Sequence, residues 1–109
     1  MYTVLVKYVL PQPTPRGNMA ERFKRSEEMF RNTPKLIRKY FCYDEAKHTG
    51  HSVYLWETEE AARAFYNDAF LEHFKANFGT TPELFFVDTL QVVDNEKEKT
   101  VFTEGDRVQ

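Results

Sequence analysis

Leu36-Ile37-Arg38-Lys39-Tyr40-Phe41-Cys42-Tyr43, then a polar Asp44-Glu45-Ala46-Lys47-His48-Thr49-Gly50-His51, then Ser52-Val53-Tyr54-Leu55-Trp56: this block decides the fold. Two runs rich in β-branched and aromatic residues flank a turn-type cluster that holds Gly50, the pattern of a β-hairpin. Both runs carry bulky groups on successive positions. Because successive side chains of a strand point to opposite faces, both faces of this hairpin require cover.

Outward toward the N-terminus, Tyr2 to Leu10 alternates Tyr2, Val4, Val6, Tyr8 and Leu10 with Thr3, Leu5, Lys7 and Val9, a strand stopped by Pro11, Pro13 and Pro15. Asn18 is placed to cap a helix whose apolar positions are Met19, Phe23 and Phe30, with Ser26 or Met29 weaker, until Thr33-Pro34 ends it. Toward the C-terminus, Thr58 caps a second helix, with Glu59 and Glu60 in its first turn. Its apolar stripe runs through Ala62, Phe65, Tyr66, Ala69, Phe70, His73 and Phe74; Asn67-Asp68 divides it, with Asp68 as the second cap, and Gly79 closes it. Pro82 opens a last strand, Glu83 to Val93, again bulky on both faces, and residues 96–109 form a polar tail broken by Val101, Phe102 and Val108.

Strand, helix, strand, strand, helix, strand is the order of the split βαβ, ferredoxin-like α+β fold: βαββαβ, a four-stranded antiparallel sheet with both helices on one face. The expected domain is residues 1–95, with the tail outside it. Helices cover one face only, so the apolar groups of the other face call for a second copy. A homodimer with two sheets face to face, a dimeric α+β barrel, is the expected assembly.

Composition narrows the function. The chain has 109 residues, a formal net charge of −2 and a pI near 5.9, so a nucleic-acid partner is not expected. Aromatic residues reach 16%, with ten Phe, six Tyr and one Trp, a high share for so short a chain, and each buries more area than an aliphatic residue. Cys42 is the single cysteine, which excludes an intrachain disulfide and a cysteine-based metal site. No stretch reads as a signal segment or a membrane span, so a cytoplasmic location without a membrane partner is expected. His48 and His51, two histidines in a polar turn without matched carboxylates, fall short of a metal site.

Val4-Leu5-Val6-Lys7-Tyr8, Leu36-Ile37-Arg38-Lys39-Tyr40-Phe41, Val53-Tyr54-Leu55-Trp56-Glu57, Ala64-Phe65-Tyr66, Phe78-Gly79-Thr80-Thr81-Pro82-Glu83 and Val92-Val93-Asp94-Asn95 occur in that order. Together they resemble the YdhR-type monooxygenases of the antibiotic biosynthesis monooxygenase superfamily, over about residues 3 to 95. Where that family has Val-Pro-Gly ahead of the second strand, this chain has Thr33-Pro34-Lys35. Where it has Gly-Gly ahead of the third, this chain has His51-Ser52. The resemblance implies a cofactor-independent monooxygenase that oxidises a small aromatic or polyketide-like substrate with O2, without metal, flavin or haem. A non-catalytic dimeric protein binding a small hydrophobic ligand, and an isomerase or decyclase using the same pocket, are the other functions the scaffold admits.

Such a site must hold a flat apolar molecule, stabilise its anion and exclude water. Trp56 is the first catalytic candidate, as a ring to stack on substrate and an N–H to give to an oxyanion, against the plain alternative of a core tryptophan. His73 is the candidate general base, against a boundary histidine with a structural hydrogen bond. Tyr66 is placed to orient a substrate oxygen, or simply to pack. Arg38 and Lys39 point to opposite faces; Arg38 is the favoured anion partner for its fork of donors, with a salt bridge to Glu57 or Asp88 as the plain alternative. Tyr54, Phe65, Phe70 and Phe74 are the expected substrate-binding residues. Haem chemistry, also found in the superfamily, would require His73 as axial ligand.

Overall fold

A computed structural model describes the backbone at residues 1–97, 99–104 and 107–108, and the side chains of residues 1–97. The main sheet has four antiparallel strands: β1 (Tyr2–Val9), β2 (Leu36–Asp44), β3 (Thr49–Trp56) and β4 (Glu83–Asp88), in the order β2-β3-β1-β4. Helices α1 (Arg16–Arg25), α2 (Glu27–Arg31), α3 (Glu59–Phe65) and α4 (Asp68–Phe78) lie in the two connections expected for them. The fold is the α+β ferredoxin-like arrangement, with the helices on one face.

Alternation along β1 sorts the two faces. Tyr2, Val4, Val6 and Tyr8 are buried under the helices with Tyr54, Trp56, Met19, Ala62, Tyr66 and Phe74, and Phe23, Phe30, Phe65, Phe70 and Phe86 pack around them. The register pairs Val4 with Tyr54 and with Phe86, so the helix-side residues of three strands meet in one layer. On the opposite, open face Leu5, Val9, Tyr40, Phe85 and Val87 are each 40–51% exposed. Burying a large apolar side chain is worth about 1.5–3 kcal/mol, so this face withholds a substantial part of the available hydrophobic stabilisation.

Local signals hold in part. Thr58 caps α3 by accepting from the Ala61 amide at 3.1 Å, and Gly79 ends α4 with φ +71°, its amide donating to the Lys75 carbonyl at 2.8 Å. Three expectations are corrected. The first helix starts at Arg16, with Pro15 rather than Asn18 at its cap; proline is already extended there, and the Arg16 amide donates to the Glu45 carboxylate at 2.6 Å. Asn67, not Asp68, caps α4, its Oδ1 accepting from the Phe70 amide at 2.9 Å. The last strand is divided: β4 stops at Asp88, and β5 (Gln91–Asp94) pairs with β6 (Lys99–Glu104), which pairs with β7 (Arg107–Val108), in a second sheet. The side chains of Val101, Phe102 and Val108 lie outside the described residues.

Gly50 also differs from its expected place. The hairpin turns at residues 45–48, with His48 taking the positive φ of 38°, and Gly50 already belongs to β3. It stands opposite Tyr8, whose ring lies where a Cβ on residue 50 would be. Glycine is needed there for room, not for a turn.

Candidate functional site

Between the helices and the helix-side face of the sheet lies a cavity of about 1100 Å³, roomy for a small ligand beside the typical range of about 300–1,000 Å³. Its walls are aromatic: Phe23 and Phe30 from the first helical segment, Phe65, Phe70, Phe74 and Phe78 from the second, Tyr8, Phe41 and Tyr54 from the sheet. The rings interlock edge to face, as with Tyr8 on Phe74 at 4.9 Å and 81°, which fixes the walls.

The floor is polar and underused. Lys39 and Tyr54 are cross-strand partners, as are Phe41 and Ser52, so two adjacent pairs on β2 and β3 put an amine and two hydroxyls on the floor. Lys39 Nζ sits 3.5 Å from the Phe30 ring centroid, 3.9 Å from Phe41 and 4.5 Å from Tyr54. Neither Lys39 nor the Tyr54, Ser52 and Tyr8 hydroxyls has a hydrogen-bond or ion-pair partner among the described residues, although Tyr54, Ser52 and Tyr8 are all buried. Buried polar groups normally find partners, so this floor is prepared for polar atoms that come with a ligand or solvent.

Burial sets the charge states. Desolvation pushes the Lys39 amine down from 10.5 to about 6, so at neutral pH it is largely unprotonated. The same cause raises the Tyr8, Tyr54 and Tyr66 phenols well above their ordinary value, with neighbouring phenols adding to it, and each stays a neutral hydroxyl. Arg22, Arg25 and His73 also line the cavity, and no carboxylate does among the described residues. Its chemistry favours an acidic or anionic guest.

Hairpin register selects Lys39. From the turn the ladder runs without interruption from Asp44 against Thr49 to Arg38 against Leu55, which sets Lys39 opposite Tyr54 on the cavity face and Arg38 on the open face. The one-residue shift comes only beyond that, between Leu36 and Arg38. On the open face Arg38 donates to the Tyr40 hydroxyl at 3.1 Å and lies 4.0 Å from the Asp94 carboxylate, in place of the Glu57 or Asp88 salt bridge considered from sequence.

The structure brings Tyr54, Phe65, Phe70 and Phe74 together in the cavity wall, with His73 beside them on an exposed stretch of α4. Trp56 and Tyr66 stand outside the lining. Trp56 is 1% exposed and donates through Nε1 to the Tyr66 hydroxyl at 3.1 Å, so the N–H considered for an oxyanion is already engaged. Its ring runs parallel to Tyr54 at 6.2 Å, which backs the cavity wall rather than forming it. Sequence reasoning does not single out Lys39, Ser52 and Tyr8. The signal for Lys39 is a charged residue inside an aromatic strand run, a signal that Arg38 beside it shares.

No family model matches this sequence, and no curated protein sequence matches it. Among solved structures the chain is similar to a variant of SnoaB, a cofactor-independent oxygenase from Streptomyces nogalater. The TM-score is 0.61 and the identity 19%, over 84% of this chain and 95% of that one. The two proteins share a fold. Among the described residues no helix is long and apolar enough to cross a membrane, and no group of three or more His, Cys, Asp or Glu is gathered for a metal ion; Cys42 is exposed.

Proposed function

We propose that this chain is a monooxygenase that oxidises a small planar aromatic or polyketide-like substrate with O2, without metal, flavin or haem, and that it works as a homodimer of the α+β barrel type in the cytoplasm. The observation that carries the reading is the aromatic cavity with an unpartnered polar floor. The shared fold with an oxygenase and the ordered YdhR-type motifs support it.

The chemistry asks little of a protein beyond the features seen in that cavity. A phenol, enol or acidic CH2 gives up a proton; the anion passes one electron to O2; the substrate radical and superoxide join in a C–O bond. The peroxide takes up a proton and loses water, so that a CH2 becomes a carbonyl with one atom of O2 in the product and the other in water. Aromatic walls hold the flat substrate and exclude bulk water, while Tyr54 and Ser52 offer hydroxyls to the anion, the kind of fixed donor that lowers such barriers most. His73 at the cavity edge suits proton exchange with solvent, and Trp56 and Tyr66 hold the wall behind Tyr54.

O2 uptake with a panel of anthrones and naphthols, in chelator and with isotopic O2, tests the reading. One O2 consumed per substrate and one labelled atom in the product are expected. Tight binding without O2 uptake would instead make the chain a ligand-binding protein, and turnover unchanged under nitrogen would make it an isomerase or decyclase. For the assembly, the exposed apolar face formed by Leu5, Val9, Tyr40, Phe85 and Val87 supports a partner sheet packed against it. Light scattering after size exclusion is expected to give twice the 13.0 kDa chain mass, and a monomer at all concentrations would refute it.

A further inference from the structure

Lys39 is the one amine on the cavity floor among the described residues. The hairpin register turns it inward from an edge strand, three rings enclose its amine at 3.5–4.5 Å, and no acidic side chain meets it among the described residues. A structural lysine at such a spot would be expected to carry a carboxylate partner, because an isolated buried charge is costly. Among the described residues the cavity lining offers it hydroxyls, amides, aromatic rings, Arg22, Arg25 and His73, and no carboxylate.

We propose that the Lys39 amine accepts the acidic proton of a planar phenol or enol bound in the cavity and then, as an ammonium, pairs with the anion it has made. The O–H bond of the ligand breaks, an N–H bond forms on Nζ, and no electron or group is transferred. The rings of Phe30, Phe41 and Tyr54 serve both states: they desolvate the free amine, and their faces attract the ammonium once it forms. The Tyr54 hydroxyl, on the residue directly across from Lys39, donates to the new anion. This inference rests on the cavity being the ligand site of the proposed oxygenase. It goes further in naming the proton acceptor and in restricting the substrate to molecules acidic enough to yield a proton near neutral pH.

The groups that face Lys39 from the surrounding elements are consistent with that direction of transfer. Tyr8 and Tyr54 on the sheet remain neutral, and Arg22 and Arg25 from α1 and His73 from α4 add no negative charge. On its outer side Lys39 borders a cleft with Lys24, Glu27, Arg31 and Arg38, in which Glu27 is tied to Arg31 at 3.6 Å. Burial leaves the free amine ready to accept between about pH 6 and the ordinary lysine range.

The test uses the full chain under nitrogen and 7-hydroxycoumarin, a planar phenol whose neutral and anionic forms absorb at different wavelengths. With wild-type protein the bound probe is expected to absorb as the anion at a pH where the free probe is mostly neutral. Because the proton stays on Lys39, affinity is expected to stay flat from about pH 6 to about pH 7. Lys39→Arg keeps a cation that cannot take a proton, so it is expected to bind the anion with affinity rising about tenfold per pH unit. Lys39→Met is expected to bind only the neutral probe and to lose at least about tenfold in affinity for the anion, with its circular dichroism unchanged. The proposal is overturned if the wild-type chain binds the probe as neutral phenol or not at all. It is equally overturned if wild type releases a proton as Lys39→Arg does, or if Lys39→Met holds the anion as well as wild type. None of these readouts involves O2, so the oxygenase reading can fail while this one stands.

Discussion

Replacing Lys39 with methionine should stabilise the folded chain at neutral pH. In the unfolded chain the amine titrates at 10.5, and in the fold burial lowers it to about 6. Between those values the unfolded state binds a proton that the folded state does not, so stability rises with pH across that window. Each pH unit is worth about 1.4 kcal/mol, and from 10.5 down to pH 7 the cost of burying Lys39 approaches about 5 kcal/mol. A gain of about 3–5 kcal/mol for Lys39→Met at pH 7 is the result expected, since methionine fills the same space without a charge to desolvate.

Urea unfolding of both proteins at matched protomer concentration, from about pH 6 to about pH 10, gives the answer. The difference in stability should be largest near pH 6 and shrink toward zero as pH approaches the ordinary lysine value, because there both states of the wild-type chain hold a neutral amine. Parallel stability curves across that range would mean that the folded-state amine titrates normally. A variant less stable than wild type at pH 7 would mean that the three rings hold a permanent ammonium whose loss leaves a cavity. Either result refutes the argument from desolvation.

Other substitutions probe the framework around the site. Gly50→Ala places a methyl group in the ring of Tyr8 and should cost about 1–3 kcal/mol in a urea titration, with no loss when Tyr8 is also replaced by alanine beyond what Tyr8→Ala costs alone. Lys35→Gly should gain about 0.5–1 kcal/mol of stability, because Lys35 holds a φ of 64° that glycine adopts without strain. Tyr66→Phe removes the acceptor of the Trp56 N–H and should cost about 1–3 kcal/mol, accompanied by a shift in tryptophan fluorescence. Phe85→Lys with Val87→Lys puts two charges on the open face and should convert the proposed dimer to monomer by light scattering, with far-ultraviolet circular dichroism retained.

The division of the sheet into a helix face and an open face was legible because it depends on local alternation alone. Tyr2, Val4, Val6 and Tyr8 could be separated from Thr3, Leu5, Lys7 and Val9 without knowing what either set touched, and the four aromatic wall residues followed from that division and the helical stripe. What a single strand cannot reveal is its register against the next one. Alternation in Leu36–Tyr43 states only that Arg38 and Lys39 part company; which one enters the cavity is decided by the register that the hairpin turn sets, with Lys39 against Tyr54 and Arg38 against Leu55. Donor geometry favours Arg38, and the register places it on the other face. The motif departures show the same dependence on partners. The YdhR-type motif that the chain resembles has glycine at the position where Lys35 takes positive φ, a backbone conformation that favours glycine. Glycine is common in turns, yet the role of Gly50 comes from Tyr8, forty-two positions earlier in the chain and directly across the sheet. Likewise the Trp56 N–H looked free for chemistry until α3 delivered the Tyr66 hydroxyl to it. Residue type supplied an aromatic cavity with a polar floor; strand pairing chose which side chains line it, and it put the Lys39 amine there and the Arg38 guanidinium on the open face.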